Sequence, residues 1–133
     1  MKISKIGLAW IAVHDIERAT HFLSDVVGLT VLNMLKEQGW AELVALRGDI
    51  VLGVGQVSDH QEVDPEHGSP IKPGQNAIIT LTVDNIVSAK AELEQKGVSF
   101  VGDIIEVPGH VKLVTFTDPD GNFFQLVEEA AGA

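Results

Sequence analysis

Five histidines, nineteen carboxylates and two tryptophans are the first places to look for chemistry in this chain, which has no cysteine. The missing thiol excludes disulfides, thiolate zinc sites and a cysteine nucleophile. His60 and His67 flank Glu62, Asp64 and Glu66. That cluster has the donors for a surface metal, but a solvated acidic loop is the simpler reading. His14 and His21 fall at the start and along the face of a predicted helix, as capping or surface residues. His110 follows a Pro-Gly turn and could exchange a proton at the mouth of a cleft. Glu42 and Lys112 are predicted strand residues at a cleft rim. Glu42 and His110 are therefore the candidate catalytic groups. Trp10 and Trp40 have two readings: core filling, or a stacking platform for a planar ligand. Thr80, Thr82 and Gln125 could orient a ligand by hydrogen bonds, or be an ordinary Thr-rich strand and a water-satisfied amide. Arg47-Gly48-Asp49 reads as a tight turn, and Gly53-Val54-Gly55 lacks the rest of a dinucleotide fingerprint. No Ser/His/Asp set can be brought together from sequence alone.

The elements that position these residues come in two copies. Ile11-Ala12-Val13-His14-Asp15-Ile16 matches Leu81-Thr82-Val83-Asp84-Asn85-Ile86 at an offset of 81 − 11 = 70. The offset continues through Ala19 and Ala89, then Leu23 and Leu93. After a one-residue slip, Gly28-Leu29 matches Gly97-Val98, and later Gly48-Asp49 matches Gly121-Asn122. A repeat of this kind reports a duplicated structural unit. In each copy a strand (6–13 and 77–83) ends at a cap, Asp15 or Asn85, that satisfies free amides at a helix start. Ile16, Ala19, Leu23 and Val26, and Ile86, Ala89 and Leu93, recur at helical spacing. Gly28 and Gly97 stop the helices. Three strands follow in each copy, separated by turns at 36–39, 47–49, 107–110 and 118–121. The fold class is therefore α+β, two βαβββ modules in tandem with curved mixed sheets around a cleft. Module one covers 5–56 and module two 76–129. Residues 57–75, with three prolines and two glycines, form a linker or lid.

Alternation separates the sheet faces. Ile79, Leu81 and Val83 are expected on a helix. Ile78, Thr80 and Thr82 are expected on the cleft side, and by the offset so are Leu8, Trp10 and Ala12. Phe123, Gln125 and Val127 join them from the last strand, with Ile50, Leu52 and Val54 as their first-module counterparts.

Composition bounds the partners. A length of 133 residues, 45% of them hydrophobic, suits one globular domain. The net charge is 9 − 19 = −10, which excludes nucleic acid as an expected partner and would favour a cationic ligand. No apolar run reaches the roughly 18 residues of a membrane span. No signal-peptide pattern follows Lys2 and Lys5. A cytoplasmic protein is expected.

The ordered set Val13-His14-Asp15-Ile16-Glu17-Arg18-Ala19, Phe22, Val27-Gly28-Leu29, and Asp118-Pro119-Asp120-Gly121-Asn122 leading into Phe123–Val127 closely resembles the vicinal-oxygen-chelate superfamily. That superfamily holds glyoxalase I, extradiol dioxygenases and bleomycin-resistance proteins. The resemblance runs from about residue 5 to 129 and implies a single domain over 1–133. In the superfamily's metal enzymes each module supplies a His or Glu ligand near the start of its first strand and another in its last strand. Carried over, these positions fall on Leu8, Leu52, Ile78 and Gln125. Shifting the register by one brings in Gly7, Ala9, Val51, Gly53, Ala77 and Ile79, which supply no side-chain ligand either. The resemblance therefore implies a family member with no metal and no cofactor. The expected function is to hold an apolar or aromatic organic molecule on Leu8, Trp10, Leu52, Ile78, Thr80 and Gln125, by sequestration as in antibiotic-binding relatives. A homodimer is implied, each cleft joining one chain's first module to the other's second. Two alternatives stay open: a glyoxalase-like lyase or dioxygenase with an unconventional or absent metal site, and an interaction module whose cleft its own side chains fill.

Overall fold

The computed structural model of the chain describes residues 1–2, 4, 7–48, 50–57, 72–74 and 77–130. Each helix start is fixed twice, by residues at matching places in the two copies. Asp15 Oδ1 accepts the Arg18 N–H at 3.0 Å, and Asn85 Oδ1 accepts the Ser88 N–H at 3.0 Å. These are the side-chain caps read from the sequence. A second clamp reaches across each unit. The Ile16 N–H donates to Gln56 Oε1 and the Ile86 N–H to Glu128 Oε1, both at 2.9 Å. The helix starts are thus tied to the last strand of their own unit. Removing either acceptor by Gln56→Ala or Glu128→Ala is expected to lower stability by about 1–2 kcal/mol in urea denaturation. Glu128→Ala is expected to be the larger, because its carboxylate also faces the positive end of a helix.

Two compact units follow, Met1–Gln75 and Asn76–Ala133. The first runs β1 (Ala9–Val13), α1 (Ile16–His21) with a π-helical turn (Phe22–Val27), β2 (Thr30–Leu35), a 3-10 turn (Lys36–Gln38), β3 (Trp40–Val44) and β4 (Leu52–Gln56). The second runs β5 (Ile78–Thr82), α2 (Ile86–Gln95), β6 (Phe100–Val107), β7 (Val111–Thr117) and β8 (Phe123–Glu129). The strand orders are the same in both: β1-β4-β3-β2 and β5-β8-β7-β6. The β1–β4 and β5–β8 pairs are parallel and the others antiparallel. This is the expected α+β arrangement, two βαβββ modules with open four-stranded mixed sheets.

The slip between the copies has a structural cause. Asp15 to Gly28 spans 28 − 15 = 13 positions, and Asn85 to Gly97 spans 97 − 85 = 12. The extra residue is taken up by the π turn, where the Gly28 N–H reaches back five residues to Leu23 O at 3.1 Å. Upstream, Thr20 Oγ1 and Ser24 Oγ donate to the carbonyls of Ile16 and Thr20 at 2.7 and 2.8 Å. Such back-bonding loosens the helical ladder. Gly28 and Gly97 end the two helices at φ 99° and 87°, where other residues are strained.

One face of each sheet packs on its helix. In the first unit Ile11, Val13, Ala41, Leu43, Leu52 and Val54 are buried with Ile16, Ala19 and Leu23 of the helix. In the second, Val114, Phe116, Phe124 and Leu126 are buried with Ile86 and Leu93. Phe116 stacks on Phe124 at 5.4 Å and contacts Phe100 at 5.5 Å. The expected linker at 57–75 lies mostly outside the described residues. Among the described residues no helix is long and apolar enough to cross a membrane.

Candidate functional site

The opposite face of the first sheet is built around two glycines. Strand pairing sets Trp10, Gly53, Glu42 and Asn33 in one row across β1, β4, β3 and β2. The next row is Ala12, Gly55, Trp40 and Leu35. A Cβ added at Gly53 would lie 2.6 Å from Trp40 Cη2 and 2.7 Å from Trp10 Cβ. A Cβ at Gly55 would lie 2.8 Å from Trp10 Cζ3. The two indoles thus occupy the space that side chains on β4 would fill. Their centroids are 5.7 Å apart at 68°, an edge-to-face pair. Trp10 remains 39% exposed, and Trp40 and Glu42 are half-buried. Among the described residues no hydrogen-bond acceptor meets either indole N–H, and no cation meets the Glu42 carboxylate.

The open face of the second sheet is a polar row in an apolar frame. Thr80, Gln125, Thr115 and Val101 align across β5, β8, β7 and β6. Gln125 Nε2 donates weakly to Thr115 Oγ1 at 3.4 Å. One flanking row holds Ile78, Phe123 and Thr117; the other holds Thr82, Val127, Leu113 and Ile105. Ile78 is 60% and Phe123 39% exposed. Single exposed apolar residues are ordinary, but a cluster on one face signals a surface meant to be covered.

The residues expected at the site therefore distribute as follows. Trp10 lies on the first open face, and Ile78, Thr80 and Gln125 on the second. Leu8 stands half-buried one residue before β1. Leu52 requires a correction. It pairs with Ala9 and Leu43 and is buried in the helix-side core, as is Val54. The first-unit partner of Trp10 is Gly53, as Gln125 is the partner of Thr80. The turn glycines gave an offset of 73, whereas the paired strands run at 125 − 53 = 72. One residue inverts a strand's faces. Glu42 joins the first open face. His110 is exposed in the turn between β6 and β7, where its N–H donates to Val107 O at 3.0 Å. The cluster at His60, Glu62, Asp64, Glu66 and His67 lies outside the described residues. Gly53 and Gly55 were weighed in the sequence only as part of a dinucleotide fingerprint and as a shifted register; the signal for their place under the indoles was a Gly-x-Gly strand in a unit holding both tryptophans. Sequence reasoning passed over Thr115, which only the β7–β8 register reveals.

A family model of the glyoxalase/bleomycin resistance protein/dioxygenase superfamily matches residues 3–126. The chain belongs to this superfamily. A comparison with curated proteins finds no match. Among solved structures the chain is similar to TnmS3, described as an antibiotic binding protein from Streptomyces sp., at 25% identity and TM-score 0.75, covering 98% of this chain and 99% of that one. A superfamily member from Sphaerobacter thermophilus shares 27% identity at TM-score 0.73, covering 96% and 98%. An integron cassette protein from V. cholerae shares the fold at 23% identity and TM-score 0.72, covering 98% of each chain.

With the register fixed by the strands, the positions that the resemblance assigns to metal ligands hold Leu8, Gly53, Ile78 and Gln125. Two aliphatic side chains, no side chain and one neutral amide do not fit a divalent metal, which takes carboxylate or imidazole here. The place of one ligand is filled by an indole ring. Among the described residues no three His, Asp or Glu side chains gather into a metal-binding group.

Proposed function

We propose that this superfamily member is a binding protein for a small apolar or aromatic organic molecule, held without a metal ion. The observation that carries the reading is the Trp10–Trp40 pair lying over Gly53 and Gly55, with Trp10 part-exposed. Rigid aromatic area on a sheet face gives a planar ligand large contact at low entropic cost. The row of Thr80, Gln125 and Thr115, framed by Ile78 and Phe123, offers a second face with hydrogen-bonding handles. The description of TnmS3 as an antibiotic binding protein supports a sequestering role. A homodimer is part of this proposal, since the exposed apolar side chains of both open faces need cover. The competing reading, a metal-independent enzyme, is favoured by the half-buried Glu42 beside Trp40, which meets no cation among the described residues.

The test is the metal content of protein purified without a metal-binding tag, together with its melting before and after nickel, zinc, manganese or iron(II). Negligible metal and an unchanged melting temperature are expected. Stoichiometric metal, or stabilisation that a chelator reverses, would put the lyase or dioxygenase reading in first place.

A further inference from the structure

The net charge of −10 already leans toward a cationic ligand, and the first open face points the same way. Glu42 is the register neighbour of Gly53, one strand away, about 5 Å between backbones. The six-membered ring of Trp40 lies over that same glycine. The half-buried residue Glu42 is therefore set beside the indole pair, with no cation to meet its carboxylate among the described residues. A carboxylate with no cation in reach beside an aromatic surface favours a positive partner by simple Coulomb attraction. An indole face attracts cations through its quadrupole, and tryptophan does so most strongly of the aromatic side chains. The rows of this face, Trp10, Gly53, Glu42 and Asn33 with Ala12, Gly55, Trp40 and Leu35, contain no lysine or arginine. An anionic ligand would meet a carboxylate and no charge of opposite sign. The chain's net charge of −10 adds a field of the same sense.

From this arrangement we infer that the Trp10–Trp40 pair and Glu42 bind an organic cation, a flat ring system carrying a quaternary or protonated nitrogen. The inference rests on the proposed binding function and narrows it. The ring stacks on indole, and the nitrogen's charge faces Glu42. Asn33, on the far side of Glu42 in the same row, supplies a further neutral acceptor.

Calorimetric titration at neutral pH with three probes tests it: 1-methylquinolinium, neutral quinoline and anionic 1-naphthoate. The cation is expected to bind roughly tenfold tighter than quinoline, with 1-naphthoate weakest. Glu42→Gln is expected to weaken the cation roughly three- to tenfold and leave quinoline unchanged. Trp10→Leu is expected to weaken both. If quinoline binds as tightly as the cation and Glu42→Gln affects neither, the cation assignment is overturned while the binding function stands. If 1-naphthoate binds best, the assignment is likewise overturned. If no probe binds and Trp10→Leu changes nothing, both the assignment and the proposed use of this face are overturned.

Discussion

Replacing Gly53 with alanine is expected to lower the stability of the protein by about 1–3 kcal/mol, the cost of forcing extra volume into a packed site. The added Cβ meets Trp40 Cη2 at 2.6 Å and Trp10 Cβ at 2.7 Å, closer than side chains approach one another. The Trp10 Cβ cannot rotate away, because it is fixed to the neighbouring strand. Gly55→Ala meets ring atoms instead, Trp10 Cζ3 at 2.8 Å and Cε3 at 3.0 Å. The two glycines therefore respond differently to a second change. Trp10→Leu removes the ring and should largely rescue Gly55→Ala. It keeps the Cβ and should not rescue Gly53→Ala. Chemical denaturation followed by circular dichroism gives the double-mutant cycles, with a coupling of about 1–2 kcal/mol expected for Gly55 with Trp10. Additive effects in the Gly55 cycle would mean that the indole does not pack over β4. The same geometry bears on function: a ligating side chain placed at Gly53 would displace the tryptophans before it could reach a metal.

The second large effect is expected at Asp118, in the turn between β7 and β8. The residue is 6% exposed. Its carboxylate Oδ1 accepts the N–H groups of Asp120 at 2.9 Å and Asn122 at 2.8 Å, and Oδ2 accepts Asn122 Nδ2 at 2.9 Å. The backbone closes the same turn, the Asp118 N–H donating to Asn122 O at 3.0 Å. Asp118→Ala strands these donors in a buried place and is expected to cost about 2–4 kcal/mol. Burial pushes the Asp118 carboxyl above the ordinary carboxylate range, while the hydrogen bonds from Asn122 and Asp120 pull it back. A carboxyl raised on folding binds its proton more tightly in the native state. Its contribution is therefore full below the unfolded value and is lost as pH rises through the folded one. Measured against Asp118→Asn, the natural protein should gain relative stability as pH falls from neutral toward the ordinary carboxylate range. A gap that instead narrows on acidification would show that the hydrogen bonds outweigh burial.

Local signals were legible in the sequence, and long-range ones were not. The duplication, the caps at Asp15 and Asn85 and the glycine stops needed only short-range chemistry, and all stand in the structure. The faces of β5 and β8 were legible because Thr80, Thr82 and Gln125 alternate with Ile79, Leu81 and Phe124. The faces of β4 were not. In Leu52-Gly53-Val54-Gly55 the residues turned to the open side are glycines, which carry no polarity signal, and the loop before the strand differs by one residue between copies. The indole pair was out of reach for a different reason. Trp10 and Trp40 are thirty positions apart in sequence (40 − 10 = 30), and only the order β1-β4-β3 brings them over one strand.

Because the chain has two tryptophans, its spectrum should contain two indole N–H signals, and both report on the first open face. The most direct measurement is therefore a nitrogen–proton NMR titration with the compounds that most raise the melting temperature in a screen of planar organic molecules. Both indole signals should shift and saturate with the stabilising ligand, at an affinity matching the melting effect. A ligand that stabilises the protein while leaving both indole signals in place would contradict the assignment of Trp10 and Trp40 as the binding platform.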